Sequence, residues 1–170
     1  MSKHKEFESN GQKYIFQRPP LAHIGKMTDD AKQGGRIVPV KYYKLIMDNV
    51  IVSPKTSFKF FDEIEPNKEQ VFQLNDVEYT FVYPGAKKFA EIEFEMLDDQ
   101  DNPSEAKIHE QLLKHIIRVD GKPVDFEFFE ELDDPTEFFD VIDAAADFFR
   151  NNEFKKVMSA AISFFRGKKI

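Results

Sequence analysis

The sequence contains no cysteine, which excludes disulfide bonds and thiolate metal sites. No segment approaches the ~18 continuous apolar residues that a membrane-spanning helix needs, and no apolar stretch follows the polar start Met1-Ser2-Lys3-His4 as in a signal peptide. The chain is nevertheless 41% hydrophobic and includes 19 Phe among its 170 residues, which is enough to build real cores. We therefore expect a folded, soluble, intracellular protein.

Residues with catalytic or ligand-binding patterns are also scarce. The chain has four histidines, and His109 and His115 are six residues apart, which puts them on opposite sides of a helix and argues against a shared metal. Gly34-Gly35 is not followed by Gly-Lys-Ser, so no phosphate loop is present. The acidic pairs Glu130-Glu131 and Asp133-Asp134 lie in a charge run that is typical of a solvated surface. We expect no enzyme activity, no cofactor and no metal.

The net charge of −7 is unevenly distributed along the chain. Residues 1–66 carry 11 Lys and Arg against 8 Asp and Glu, a net charge of +3, whereas residues 67–134 carry 7 against 18, a net charge of −11, and residues 135–170 carry +1. A nucleic-acid-binding face needs clustered Lys and Arg, and no such stripe occurs. The opposite signs favour either two segments that face each other or two segments with different protein partners.

The central pattern of the sequence is a repeat. Tyr14, Phe16 and Pro19 recur as Tyr79, Phe81 and Pro84 at an offset of 65 residues. The match continues, with slippage of only three residues, from Asn49-Val50-Ile51 to His115-Ile116-Ile117 and from the block 58–64 to the block 126–132. The shared positions are mostly aromatic or aliphatic and keep their order. We predict two copies of one folding unit, residues 1–66 and 67–133, followed by a different tail at 134–170.

Each copy predicts a β-hairpin, two helices and a short aromatic segment. The hairpins turn at Asn10-Gly11, a dipeptide that favours a type I′ turn, and at Asn75-Asp76. Apolar residues at helical spacing follow in both copies, and Ser104 is a candidate helix cap in the second. These patterns predict an α+β fold.

The tail predicts helices with a wide apolar face. Asp134-Pro135-Thr136-Glu137 has the composition of a helix start, with Asp134 as cap and Pro135 at the first helical position. Burying one large aromatic side chain stabilises by roughly 2 kcal/mol, so such a stripe must dock somewhere. It either contacts a partner protein or closes the core over the two repeats, and both interpretations stay open here. The candidate partner-binding residues are Phe138, Phe139, Ile142, Phe149, Phe154, Met158, Ile162 and Phe165.

The segment Tyr14-Ile15-Phe16-Gln17 with Pro19-Pro20, followed by 42–52 and Ser53-Pro54-Lys55, resembles the tail assembly chaperones of long-tailed bacteriophages. That family commonly carries an aromatic strand ending in a Pro-Gly step, a helix, a variable loop, and a second helix that closes in an Asn-Val-Val-like segment before Pro-Lys. The second copy supplies the Pro-Gly form at Pro84-Gly85. The resemblance covers residues 12–64 and, more weakly, 77–132, and does not extend to the tail.

The resemblance implies a non-enzymatic assembly factor that keeps the long, helical tape measure protein soluble and recruits tail tube subunits around it. Such a protein works in the host cytoplasm and is absent from the mature virion. Self-association of this chain is a separate expectation. Two other functions stay open. One is a structural tail or baseplate subunit of the virion, and the other is an acidic inhibitor that mimics DNA.

Overall fold

The computed structural model describes residues 3–167 and confirms the α+β class, with 50% of the residues in helices and 23% in strands of small antiparallel sheets. The chain divides into two compact units. Unit 1 comprises Met1–Glu65, Gly85–Phe94 and Glu153–Ile170, and unit 2 comprises Pro66–Pro84 and Glu95–Asn152. Within the described residues, no helix combines the length and the apolar character needed to cross a membrane.

Unit 1 is built on a three-stranded antiparallel sheet in the order β1-β2-β5, with a separate two-stranded hairpin of β3 and β4. Its elements are β1 (His4–Ser9), β2 (Gln12–Gln17), α1 (Leu21–Asp30), β3 (Lys32–Gln33), β4 (Arg36–Ile37), α2 (Pro39–Asn49), β5 (Ile51–Ser53), α3 (Phe58–Ile64) and, from later in the chain, α4 (Ala86–Glu95) and α8 (Glu153–Arg166).

Unit 2 is built on a four-stranded antiparallel sheet in the order β6-β7-β8-β9. Its elements are β6 (Glu69–Leu74), β7 (Val77–Val82), α5 (Glu105–His115), β8 (Ile117–Val119), β9 (Lys122–Pro123), α6 (Phe126–Glu130) and α7 (Glu137–Arg150).

Both predicted hairpins are confirmed, and they have the same register. In unit 1 Phe7 lies opposite Tyr14, and in unit 2 Phe72 lies opposite Tyr79. Asn10 and Gly11 have φ angles of 49° and 75°, the positive values that a type I′ turn requires. The inward-facing side chains of β2 and β7 are fully buried, as the alternation of these strands predicts.

The core of unit 1 is a cluster of aromatic rings. The ring of Tyr14 stacks on Phe61 at 6.3 Å with planes 16° apart and meets the edge of Phe60 at 6.5 Å and 82°. Phe61 in turn meets Phe154 of α8 at 5.3 Å and 69°, and Phe16 lies 6.2 Å from Phe164. Such offset and edge-to-face contacts add to the stabilisation that burial alone gives.

Unit 2 repeats this cluster with nearly the same geometry. Tyr79 stacks on Phe129 at 6.0 Å with planes 3° apart and meets Phe128 at 6.3 Å and 84°. Phe129 meets Phe138 of α7 at 5.2 Å and 73°, and Phe81 lies 6.0 Å from Phe148. The duplication predicted from sequence is therefore a duplication of core packing.

The two helices of the tail at 134–170 are themselves a repeat of each other, and each packs in a different unit. Helix α7 packs in unit 2 and α8 packs in unit 1. Both are 14 residues long, and at an offset of 16 residues eight of the fourteen positions are identical. The identical pairs are Glu137/Glu153, Phe138/Phe154, Val141/Val157, Ala144/Ala160, Ala145/Ala161, Phe148/Phe164, Phe149/Phe165 and Arg150/Arg166.

Side-chain caps fix the starts of the shorter helices. Ser57 and Asp125 accept hydrogen bonds from the backbone N–H groups of Phe60 and Phe128, and Ser104 caps α5 as the sequence predicts. The predicted start of the first tail helix is corrected. Asp134 accepts hydrogen bonds from the backbone N–H and the hydroxyl of Thr136, which lower its pKa, and it thereby closes a turn that precedes α7.

Candidate helix-binding groove

Unit 1 holds a helix in a groove. The N-terminus of α4 is fixed by Asp62 of α3, whose carboxylate accepts a 2.7 Å hydrogen bond from the backbone N–H of Ala86. Gly85 precedes this contact with φ +97°, and a Cβ at that position would come within 3.6 Å of the Asp62 carboxylate. A negative side chain at a helix N-terminus also interacts favourably with the helix dipole. Asp62 thus caps α4 from the wall of the groove.

The side chains of α4 meet the floor of the same groove. Phe89 is buried and lies 6.1 Å from the ring of Phe154, at nearly a right angle. Glu93 accepts hydrogen bonds from the Tyr43 hydroxyl at 2.6 Å and from Lys155 Nζ at 2.7 Å. Burial, together with the Glu93 carboxylate, raises the pKa of Tyr43 far above its ordinary value, so its hydroxyl remains a donor. Aromatic packing at Phe89 and the polar cluster at Glu93 therefore add to the cap at the N-terminus in holding the helix.

Unit 2 contains the same groove, and no helix of residues 3–167 lies in it. The residues in equivalent positions are Phe138 for Phe154, His109 for Tyr43 and Glu130 for Asp62. The ring of Phe138 meets His109 at 5.1 Å and 90°, as that of Phe154 meets Tyr43 at 5.2 Å and 88°. A cavity of about 330 Å³ opens here, lined by Phe126, Phe129, Glu130, Pro135, Thr136, Phe138 and Phe139. We call this cavity and its lining the unit 2 groove.

The rim of the unit 2 groove is apolar and exposed. Phe139 is 55% exposed and Phe126 is 47% exposed, values that are unusual for large aromatic side chains. Phe139 occupies the position of Lys155 in unit 1, so the polar cluster of unit 1 is replaced by an aromatic surface. Unit 2 as a whole carries 6 Lys and Arg against 20 Asp and Glu, a net charge of −14, whereas unit 1 carries 18 against 11, a net charge of +7. The groove is therefore an aromatic patch within a strongly acidic unit.

Burial divides the eight candidate partner-binding residues. Six of them are core residues with at most 8% exposure, as the interpretation of a closed core requires: Phe138, Ile142, Phe149, Phe154, Met158 and Phe165. Ile162 is half-buried, and Phe139 is the one that is exposed. Phe139 lies on the rim of the unit 2 groove, and partner binding by the eight residues stays a prediction.

A buried carboxylate joins the hairpin to the long helix in unit 1. Glu153 is 1% exposed and accepts hydrogen bonds from Ser9, Asn10 and Tyr14. Its equivalent in unit 2, Glu137, accepts a hydrogen bond from Asn75. In both units a carboxylate at the start of a long helix thus binds the turn of the hairpin.

Two parts of the site were missed by sequence reasoning. The 16-residue repeat between α7 and α8 was a detectable signal, and it identifies Phe138 and Phe139 as the counterparts of Phe154 and Lys155. The placement of α4 in unit 1 has no such signal, since α4 follows the hairpin of unit 2 in the chain. Among residues 3–167, no three His, Asp or Glu side chains are grouped to hold a metal ion. No protein-family model, curated protein or solved structure matches this chain.

Proposed function

We propose that this chain is a non-enzymatic tail assembly chaperone of a long-tailed bacteriophage, which binds the tape measure protein and recruits tail tube subunits to it. It acts in the host cytoplasm before the tail is complete. The observation that carries the proposal is the unit 2 groove, an open copy of a groove that accepts an amphipathic helix in unit 1. A tape measure protein is a long helical client that offers many such helices.

The geometry of the groove favours helix binding over other modes of recognition. Helix-in-groove binding uses apolar anchors one turn apart, and Phe126, Phe138 and Phe139 line an open cavity of about 330 Å³ that can receive such anchors. Exposed apolar patches of this kind on a folded protein are typical of interaction sites. Glu130 has the position in α6 that Asp62 has in α3 and lines the groove, and a carboxylate there favours the N-terminus of a bound helix.

The charge of unit 2 narrows the range of clients. A net charge of −14 attracts basic helices and repels acidic ones. The aromatic rim tolerates different apolar side chains, since it offers flat contact area and no hydrogen bond that demands one partner group. A chaperone of a long protein needs this combination, because it must bind many segments and release them.

Co-expression tests the proposal. The affinity-tagged chain is expressed with the tape measure protein encoded near it, and the captured proteins are identified by mass spectrometry. We expect the wild type to capture the tape measure protein and Phe139→Asp to lose it. Val71→Asp is the matched control, because Val71 is 61% exposed on β6 of the same unit and lies outside the groove. Equal capture by both variants would contradict the assignment of the site.

Purified virus particles separate this proposal from a structural subunit of the tail. A chaperone is absent from mature particles, whereas a tail or baseplate subunit is present in a fixed copy number. Quantitative mass spectrometry of particles measures this directly. A DNA-mimic inhibitor makes a third pattern, because its capture of a nuclease or DNA-binding enzyme would be lost at high salt.

A further inference from the structure

We propose that the unit 2 groove binds helix α1 of a second copy of this chain, so that the free protein associates head to tail. The inference rests on the proposed function only in taking the groove as a helix-binding site, and it does not depend on the client. Four observations carry it: the equivalence of α1 and α4, the exposure of α1, the lining of the groove and the charges of the two units.

Helix α1 is the counterpart of the helix that fills the groove in unit 1. Both helices are ten residues long and follow the second strand of a hairpin after a proline, at an offset of 65 residues. This places Leu21 at the position of Ala86, and Ile24 at the position of Phe89. Each sequence repeat thus supplies one groove and one helix. The helix of the second repeat, α4, already lies in the groove of the first repeat.

The two helices differ sharply in how their apolar residues are covered. In α4, Ala86 and Phe89 are at most 1% exposed. In α1, Leu21 is 81% exposed and Ile24 is half-buried, with the whole described chain around them. Only Met27, further along α1, is buried. The N-terminal half of α1 therefore has apolar side chains that no described residue covers. The rim of the unit 2 groove is likewise apolar and exposed.

The chemistry of the two surfaces matches in detail. In unit 1 the polar pair is Glu93 on the helix and Lys155 in the groove. In the proposed contact the equivalent positions are uncharged, with Phe139 in the groove and, on the helix, Thr28, whose hydroxyl accepts a hydrogen bond from Arg166 of its own unit. The N-terminus of α1 has no side-chain cap within the described residues, whereas Glu130 stands where Asp62 caps α4.

The charges favour contact between unlike units of two molecules. Unit 1, which carries α1, has a net charge of +7, and unit 2, which carries the groove, has a net charge of −14. Helix α1 itself carries Lys26, Asp29 and Asp30, and Lys26 forms an ion pair with Asp30 at 2.8 Å, so the attraction comes from unit 1 as a whole and not from the helix. A contact between the helix of one molecule and the groove of the next is heterologous. Such contacts build rings when the rotation closes and open chains when it does not.

Sedimentation velocity over a range of concentrations tests this with the full-length chain alone. We expect the wild type to form species larger than a monomer as its concentration rises. Leu21→Asp and Phe139→Asp each remove this association, and Val71→Asp leaves it unchanged. Circular dichroism shows whether each variant is folded, and the substituted side chains are exposed, which keeps the test independent of core packing.

Mixing the two inactive variants gives the sharpest result. The Leu21→Asp chain keeps an intact groove, and the Phe139→Asp chain keeps an intact α1, so an equimolar mixture can form one good contact. We expect the mixture to form a dimer and nothing larger. A wild type that stays monomeric at all concentrations, a mixture that stays monomeric, or an equal loss in Val71→Asp would overturn the inference. Capture of the tape measure protein by a strictly monomeric wild type would overturn the inference while leaving the proposed function standing.

Discussion

Phe154 in the filled groove of unit 1 and Phe138 in the open groove of unit 2 are equivalent residues, and the stability cost of replacing each by Ala compares the two grooves. Phe154 is fully buried in unit 1, and its ring meets four others, those of Tyr43, Phe58, Phe61 and Phe89, at 5.2 to 6.1 Å. Replacing a core Phe by Ala costs about 3–5 kcal/mol, and the cost rises with the volume of the cavity that remains. Because α4 encloses the site, we expect Phe154→Ala to cost about 5 kcal/mol.

Phe138 is 8% exposed, and its ring lines the open groove of unit 2. Part of its surface already faces a cavity, so its removal leaves less new unfilled volume and the site can relax. We expect Phe138→Ala to cost about 3 kcal/mol, near the lower end of the range. Urea unfolding followed by circular dichroism measures the loss of unfolding free energy in each of the two variants. Both are made in a Leu21→Asp background, which removes association. A cost for Phe138→Ala that equals or exceeds that of Phe154→Ala would refute the difference between the two grooves.

Three further predictions concern the tyrosines and the polar cluster. Tyr14→Phe should lower the free energy of unfolding, measured in urea, by about 1–2 kcal/mol, because the Tyr14 hydroxyl donates a hydrogen bond to Glu153. Tyr79→Phe should be nearly neutral, since the Tyr79 hydroxyl has no hydrogen-bond partner within the described residues. Burial, and secondarily Glu137, raises the pKa of Tyr79 to about 12, and an unfolded Tyr ionises near 10. The unfolded chain therefore loses this proton first, and stability should fall as the pH rises from about 10 to 12, less steeply in Tyr79→Phe. A double-mutant cycle between Glu93 and Lys155, whose side chains are 21% and 33% exposed, should give a coupling of about 1 kcal/mol that decreases in high salt.

Much of the local structure follows from short patterns in the sequence. Asn10-Gly11 fixes the first hairpin, and Ser104 caps α5, because both depend on residues within a few positions. The α+β class and the duplication follow from periodicity and from aromatic positions that recur in order. These features are local or are repeated in the chain, so a single sequence is enough to predict them.

The candidate site depends on packing between distant segments, and the sequence predicts it only in part. Phe138 and Phe139 are adjacent and chemically identical, yet one is core and the other is exposed, because α7 presents only one of them to Phe129. The placement of α4 beside Asp62 depends on a contact 24 residues away along the chain and has no periodic signal. The sequence left open whether the apolar side chains of α7 and α8 contact a partner or close the core. The exposed fraction of each side chain in the structure is what distinguishes the two interpretations.

Hydrogen exchange followed by mass spectrometry tests most directly whether the unit 2 groove is a site that accepts a helix. The wild type and Leu21→Asp are compared at the same high concentration, where only the wild type is expected to associate. We expect additional protection in the wild type at residues 126–139 and at the start of α1, with α4 equally protected in both. Identical exchange at residues 126–139 in the two proteins, or added protection confined to β6, would contradict it.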